Sequence, residues 1–368
     1  MTIAPARARF DGLELERLCA GALDFLPRSF DEGRGLCSFK AELVDGGLVQ
    51  DWSEWVAPRY TITSLLGLQA AGYEGTERMT ERFLERNEIG NAADTGLLTV
   101  LHCDRDDLER AAALVPQLRG LAGAPLEMQD LAWLLWGACA ATRAGLAGAE
   151  EAATALLARM LGDYVHPRTG LPRHSLRAYR RGIASFGSVV YFLRALHEAS
   201  SALGDPRAER LFRNGVAAAL ELQGARGEWP WMIDVARGRA FDRYPVFSVH
   251  QDSMAILFLR PALDAGVDGV ASAIERSVRW VHGENELGLR FYIEEPSFFA
   301  YRAIERDESW TKARRYGRWL ARGSGARVAA SRLRVNRECR SYHLGWVLYA
   351  WADCAAFQTV LPTSAGSP

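Results

Sequence analysis

The residue types with chemistry to offer gather most densely in the stretch 223–258. Gly224 and Gly227 break a helical pattern that ends at Gln223, and Trp229 and Trp231 follow in an extended Trp-Pro-Trp. Residues 234–239 read as a turn, and the chain returns through Asp242, Arg243, Tyr244 and Pro245 into a new helical pattern whose first turn carries His250, Gln251 and Asp252. Aromatic faces suit the apolar faces of sugar rings and also prenyl chains. A histidine and a carboxylate beside them can give and take protons near neutral pH.

Other stretches add to this set. Asp94, Glu127 and Asp130 precede or open apolar helical patterns, His174 lies in the connection 164–184, and Glu294, Glu295 and His343 come late in the chain. Carboxylates paired around a sugar-sized cleft are what glycoside hydrolysis needs, one as acid and the other as base or nucleophile. Arg173, Arg177, Arg180, Arg181, Arg243, Arg337 and Arg340 point to an anionic ligand, because the guanidinium fork matches carboxylate and phosphate. The expected acid/base residues are Asp94, His250 and Asp252, with Asp130 and His343 in reserve. Arg180, Arg243 and Arg340 would hold the anion, and Trp229, Trp231 and Tyr244 would line or stack on the ring. Each has a structural reading too: Asp94 and Asp130 complement a helix dipole, Arg177, Arg180 and Arg181 suit a solvated face, and both tryptophans suit packing.

The elements that must position these residues are helices. Apolar periodicity recurs from residue 13, and the patterns alternate in kind. Leu13–Leu26, Thr76–Glu88, Asp106–Arg119, Glu150–Leu161, Pro206–Leu222 and Val270–His282 are amphipathic. Tyr60–Ala71, Ala92–Cys103, Met128–Arg143, Ala184–Leu203, Val249–Ala265 and Tyr342–Phe357 are apolar nearly all round, with Pro261 expected to kink or end the fifth. A further amphipathic helix is expected at Ser309–Arg322, in an otherwise less regular region. Helices apolar on every side must be covered, and amphipathic ones can cover them. The pattern therefore predicts an all-α (α/α)6 toroid over 1–361, six outer helices around six inner ones, followed by a disordered tail at 362–368. An open helical solenoid is the competing architecture. The connections leading into inner helices (27–59, 164–184, 223–248 and 285–341) are long and chemically rich, whereas the reverse ones are short. One functional end is expected.

Composition narrows the partners. A formal net charge of −1 gives no basic footprint for nucleic acid. No apolar run approaches the ~20 residues a membrane span needs. The N-terminal residues lack an apolar signal core, which predicts the cytoplasm. Cysteines at 19, 37, 103, 139, 339 and 354 form no Cys-x-x-Cys pair and read as reduced core residues. No metal and no cofactor is expected; the expected partner is a small molecule or an oligosaccharide.

The alternation of inner and outer helices resembles the six-hairpin toroid enzymes: glycoside hydrolases, unsaturated-uronyl hydrolases, some polysaccharide lyases and sugar epimerases. That resemblance implies hydrolysis or β-elimination at a uronic-acid-containing glycoside, or epimerisation with His250 and His343 as bases. Gln223-(x3)-Gly227-x-Trp229 looks like the Gln-Trp repeat of squalene–hopene-type terpenoid cyclases. Asp104-Arg105-Asp106-Asp107 superficially looks like their Asp-x-Asp-Asp protonation motif, but it falls at the short-loop end and opens an outer helix, where it reads as capping. A terpenoid-cyclase-like enzyme and a non-catalytic helical scaffold are the alternatives.

Overall fold

The computed structural model describes residues 14–294, 297–307, 317 and 328–351. The expected Ser309–Arg322 helix except Gly317, and Glu295, Cys354 and the 362–368 tail, lie outside these residues. Among the described residues the chain forms twelve α-helices, in order α1 (Leu15–Ser29), α2 (Ala57–Ala70), α3 (Thr76–Arg86), α4 (Ala92–Asp104), α5 (Leu108–Leu121) and α6 (Met128–Arg143). There follow α7 (Ala149–Arg159), α8 (Phe186–Leu203), α9 (Pro206–Leu220), α10 (Ile256–Asp264), α11 (Val270–Val281) and α12 (Ser341–Trp351). Contacts divide the chain into two compact units. One draws on the described parts of 1–88, 290–301 and 337–368 and the other on those of 89–289 and 302–336.

Burial follows the two kinds of helix pattern. In α6 the buried residues run continuously over Leu131–Ala141, so every face is covered. In α11 they fall at Val270, Ala273, Ile274, Ser277, Val278 and Val281, a single stripe at helical spacing, joined by Trp280. Glycine sets how closely the all-round buried helices approach. In the larger unit a Cβ on Gly96 of α4 would stand 2.4 Å from the Trp133 backbone of α6, and one on Gly137 would stand 2.5 Å from the Gly96 carbonyl. Within the other unit α2 and α12 meet the same way, the Gly67 Cβ position lying 2.1 Å from the Gly345 carbonyl. Backbones touch directly at both seams.

The short turns out of these inner helices share a geometry. Gly72, Gly145 and Gly266 hold positive φ and donate to the carbonyls of Gln69, Thr142 and Leu263. The next residues, Tyr73, Leu146 and Val267, donate to Leu68, Ala141 and Ala262, as in a Schellman stop. After α4 the same place is filled by Asp106 at φ 58, with Asp106 and Asp107 donating to Cys103 and His102. The Asp-rich run is therefore this turn with aspartate where glycine stands elsewhere. Its expected capping role is only positional, because Asp107 occupies the N-cap of α5 without a side-chain cap and its carboxylate lies 3.0 Å from His102 Nδ1 instead.

The long connections carry short strands. Ile183–Ser185 pairs with Met232–Asp234, which pairs with Arg239–Asp242, so the expected turn at 234–239 closes a hairpin. Val246–Phe247 joins Ala303–Arg306, which pairs with Leu333–Asn336. In the smaller unit Lys40–Val44 and Gly47–Asp51 form a hairpin closed by Asp45 and Gly46, both at positive φ. The expected Val249–Ala265 helix is divided: His250–Met254 is a π-helical turn, and α10 runs on through Pro261 to Asp264.

Candidate active site

In the larger unit the entry ends of α6, α8 and α10 converge. A Cβ on Gly187, near the start of α8, would meet the Gln129 amide of α6 at 2.8 Å and the Met254 methyl of the π turn at 3.4 Å. Phe186 packs on His250 with ring centroids 5.0 Å apart. Asp94 opens α4, where Asn91 caps the helix by accepting from the Asp94 N–H at 3.0 Å and donates to Asp94 Oδ2 at 2.5 Å. Asp94 is buried and Asp130, in the first turn of α6, is half-buried.

At the N-cap of α6 stands Glu127. Its Oε1 accepts from Arg180 Nη1 at 3.3 Å, and its Oε2 lies 3.2 Å from His174 Nε2. His174 Nδ1 is 2.8 Å from Ser188 Oγ, which is 2.9 Å from Ser185 Oγ, the N-cap of α8. Arg180 Nη2 lies 2.6 Å from His174 Nε2. Arginine can only donate, so Nε2 is the accepting nitrogen and Nδ1 carries the proton given to Ser188. Burial first, and the Arg180 charge next, hold the His174 pKa below the ordinary histidine value, with Glu127 opposing. The connection is anchored at the backbone as well: the Met128 N–H, one of the unpaired donors at the start of α6, gives its hydrogen bond to the His174 carbonyl. Arg180 keeps roughly a third of its side-chain surface, 36%, in solvent, and so is accessible to a ligand.

The aromatic residues divide by burial. Trp229 is fully buried, stacks on Phe186 at 4.9 Å and donates Nε1–H to Ser277 Oγ at 2.7 Å. Both its faces and its polar edge are engaged, so it supports Phe186 and His250 from behind instead of meeting a sugar ring. Trp231 remains half-buried, edge-on to Phe247 at 6.2 Å. His250 lies between Phe186 and Phe247, and Asp252 is fully buried in the same π turn. Such turns recur at functional sites. Gln223 ties the end of α9 down, donating to the Gly227 and Ala273 carbonyls at 3.2 and 2.9 Å.

A second group surrounds Tyr244. Its hydroxyl donates to Glu286 Oε1 at 3.3 Å, and Trp280 Nε1 donates to Glu286 Oε2 at 3.0 Å. Burial above all, with the charge of nearby Glu228, raises the Glu286 pKa. Arg243 Nη1 reaches Glu228 Oε1 at 3.5 Å, and Glu228 is fully buried. Glu228 and Glu286 were not among the residues expected from the sequence, and His174 was expected only as one titratable group of its connection, without a role. The signal available was composition: each lies in one of the long connections into the inner helices.

In the smaller unit, taken by itself, Arg340 is buried. Its guanidinium lies 3.9 Å over the Phe39 ring and pairs with Glu338 at 2.5 Å. It is therefore already matched by a carboxylate. His343 is buried in the first turn of α12, and its N–H donates to the Arg340 carbonyl at 3.1 Å. Trp55 is 76% exposed beside Arg59. Glu294 is exposed. Among the described residues no helix is long and apolar enough to cross a membrane, and no group of three or more His, Cys, Asp or Glu is placed to hold a metal ion.

No protein-family model and no curated protein matches the chain. Solved structures do. A cellobiose 2-epimerase from Bacillus thermoamylovorans B4167 is similar with a TM-score of 0.65 at 10% identity, over 93% of this chain and 98% of that one. An unsaturated glucuronyl hydrolase from Streptococcus agalactiae is similar with a TM-score of 0.60 at 14% identity, over 96% and 98%. A sugar epimerase from a ruminal bacterium is similar with a TM-score of 0.61 at 10% identity, over 92% and 98%. These are (α/α)6-toroid proteins, and they match nearly end to end. The chain has the (α/α)6-toroid fold that its alternating helices predict.

Proposed function

We propose that the chain is a carbohydrate-active enzyme that cleaves or modifies an anionic, uronic-acid-type saccharide by acid/base chemistry. The observation that carries this reading is the group formed by Glu127, His174 and the accessible Arg180 at the entry ends of α6 and α8. A guanidinium fork recognises a carboxylate, and titratable groups around it serve proton transfer. The fold supports the reading, since proteins that share it include ones named as an unsaturated glucuronyl hydrolase and as sugar epimerases.

Asp94, His250 and Asp252 are the proposed acid/base residues, with Asp130 in reserve; His343, also expected from the sequence, belongs to the other unit. Arg180 and Arg243 hold the anion and Trp231 lines the ring, while Trp229 and Tyr244, both buried, support the site from behind. Arg340 is a poorer anion ligand than expected because, unlike Arg180, it is buried as well as paired with a carboxylate, Glu338. A terpenoid-cyclase-like reading has less support, because the Asp-rich run it draws on is accounted for by the turn after α4. The test is turnover on uronate-terminated saccharides, followed as glycoside cleavage, unsaturated product or epimer. Asp94→Asn and Asp252→Asn should each lose about 100-fold or more in kcat. Full turnover in both variants would contradict the assignment.

A further inference from the structure

Glu127 is held in an unusual way for an N-cap residue. Its backbone is extended, at ψ 159, as an N-cap requires, yet its side chain caps nothing. The carboxylate instead turns to Arg180, and only Oε1 gains a donor there. Oε2 is buried with no hydrogen-bond donor. It faces His174 Nε2 at 3.2 Å, and that nitrogen is itself accepting from Arg180. Two acceptors therefore confront each other beside a partly exposed arginine, and a buried oxygen left without a donor calls for an explanation.

We propose that Glu127 is an internal stand-in for the substrate's carboxylate: a uronate takes over Arg180, and Glu127 is displaced toward the solvent that its side chain, 28% exposed, already reaches. The inference rests on the uronate reading above. The exchange trades one carboxylate for another on the same fork, so Arg180 never loses its partner. It also separates Glu127 Oε2 from His174 Nε2, and water then supplies the donor that the buried oxygen now lacks. A neutral sugar offers nothing to make this exchange. Glu127 thereby acts on ligand through Arg180, as a positioning residue, and sets a threshold that only an anionic sugar passes.

The experiment is calorimetric titration of the full chain with D-glucuronate and with D-glucose. Glu127→Gln removes the competing charge but keeps the side-chain shape. Glu127→Asp shortens the reach to Arg180 while providing a better cap, so it keeps the test open should the first variant fold poorly. Both should bind glucuronate about three- to tenfold more tightly than the unaltered chain, with glucose binding unchanged, whereas Arg180→Gln should weaken glucuronate binding by about tenfold or more. A merely structural Glu127 would not give tighter binding on substitution. If the unaltered chain prefers glucuronate through Arg180 but both Glu127 variants bind it no more tightly, the stand-in role is overturned and the uronate reading survives. If glucuronate and glucose bind alike, with or without Arg180, both fall together.

Discussion

His174 illustrates how position decides protonation at the scale of single residues. Burial and the Arg180 guanidinium lower its pKa, so the folded protein keeps it neutral to more acidic pH than the unfolded chain does. Its contribution to stability is present above the unfolded value of ~6.5 and is lost as pH falls through the lower folded value. The melting temperature of His174→Gln should therefore fall less steeply between about pH 7 and pH 5 than that of the unaltered chain; parallel curves would contradict the assignment. The sequence offers this residue as a titratable group of the 164–184 connection, but its partners were not legible, for a physical reason. Its partner Arg180 is a near neighbour in sequence, but Arg180 reaches Glu127 across 53 positions, and no local spacing signals that meeting. Asp94, Asp130, His250, Asp252 and His343 were legible as positions, because each falls in the first turn of an apolar helical pattern or of the π turn before one. Their chemistry was not legible, since a carboxylate there also complements the helix dipole. For Trp229 the sequence left packing and a sugar platform open, because nothing in Trp-Pro-Trp tells which indole finds a buried partner such as Ser277.

At the scale of elements, hydrophobic pattern did most of the specifying. Whether each helix is outer or inner follows from whether its apolar residues form a stripe or cover every face, as α11 and α6 show. Boundaries were less legible: α1 runs on through Pro27 to Ser29, and the π turn at His250–Met254 has no signature in apolar spacing. The turns and seams make two predictions. Asp106→Gly should stabilise the protein by about 1 kcal/mol, because a left-handed backbone costs an aspartate what it does not cost glycine. Gly96→Ala should destabilise it by about 1–3 kcal/mol or more, because its methyl group would overlap the Trp133 backbone. Urea midpoints at constant slope measure both. A shift of the opposite sign would contradict the strained turn in the first case and the close backbone seam in the second.

At the scale of the whole molecule, the balance of charge and the fold constrain what the chain does more than any single motif. A net charge of −1 gives the molecule no net positive field, so attraction of anions depends on placed arginines such as Arg180. The toroid fold is shared by proteins of several activities, and a shared fold does not by itself fix the reaction. What separates the candidates is whether the substrate must carry a charge. The most direct test is therefore kcat/KM for a uronate-terminated disaccharide against the same disaccharide with a neutral hexose in that position, in the unaltered chain and in Arg180→Gln. A site built around Arg180 predicts a preference for the uronate of about 100-fold or more that largely disappears in the variant. Equal turnover of the charged and neutral sugars, unaffected by the loss of Arg180, would contradict it.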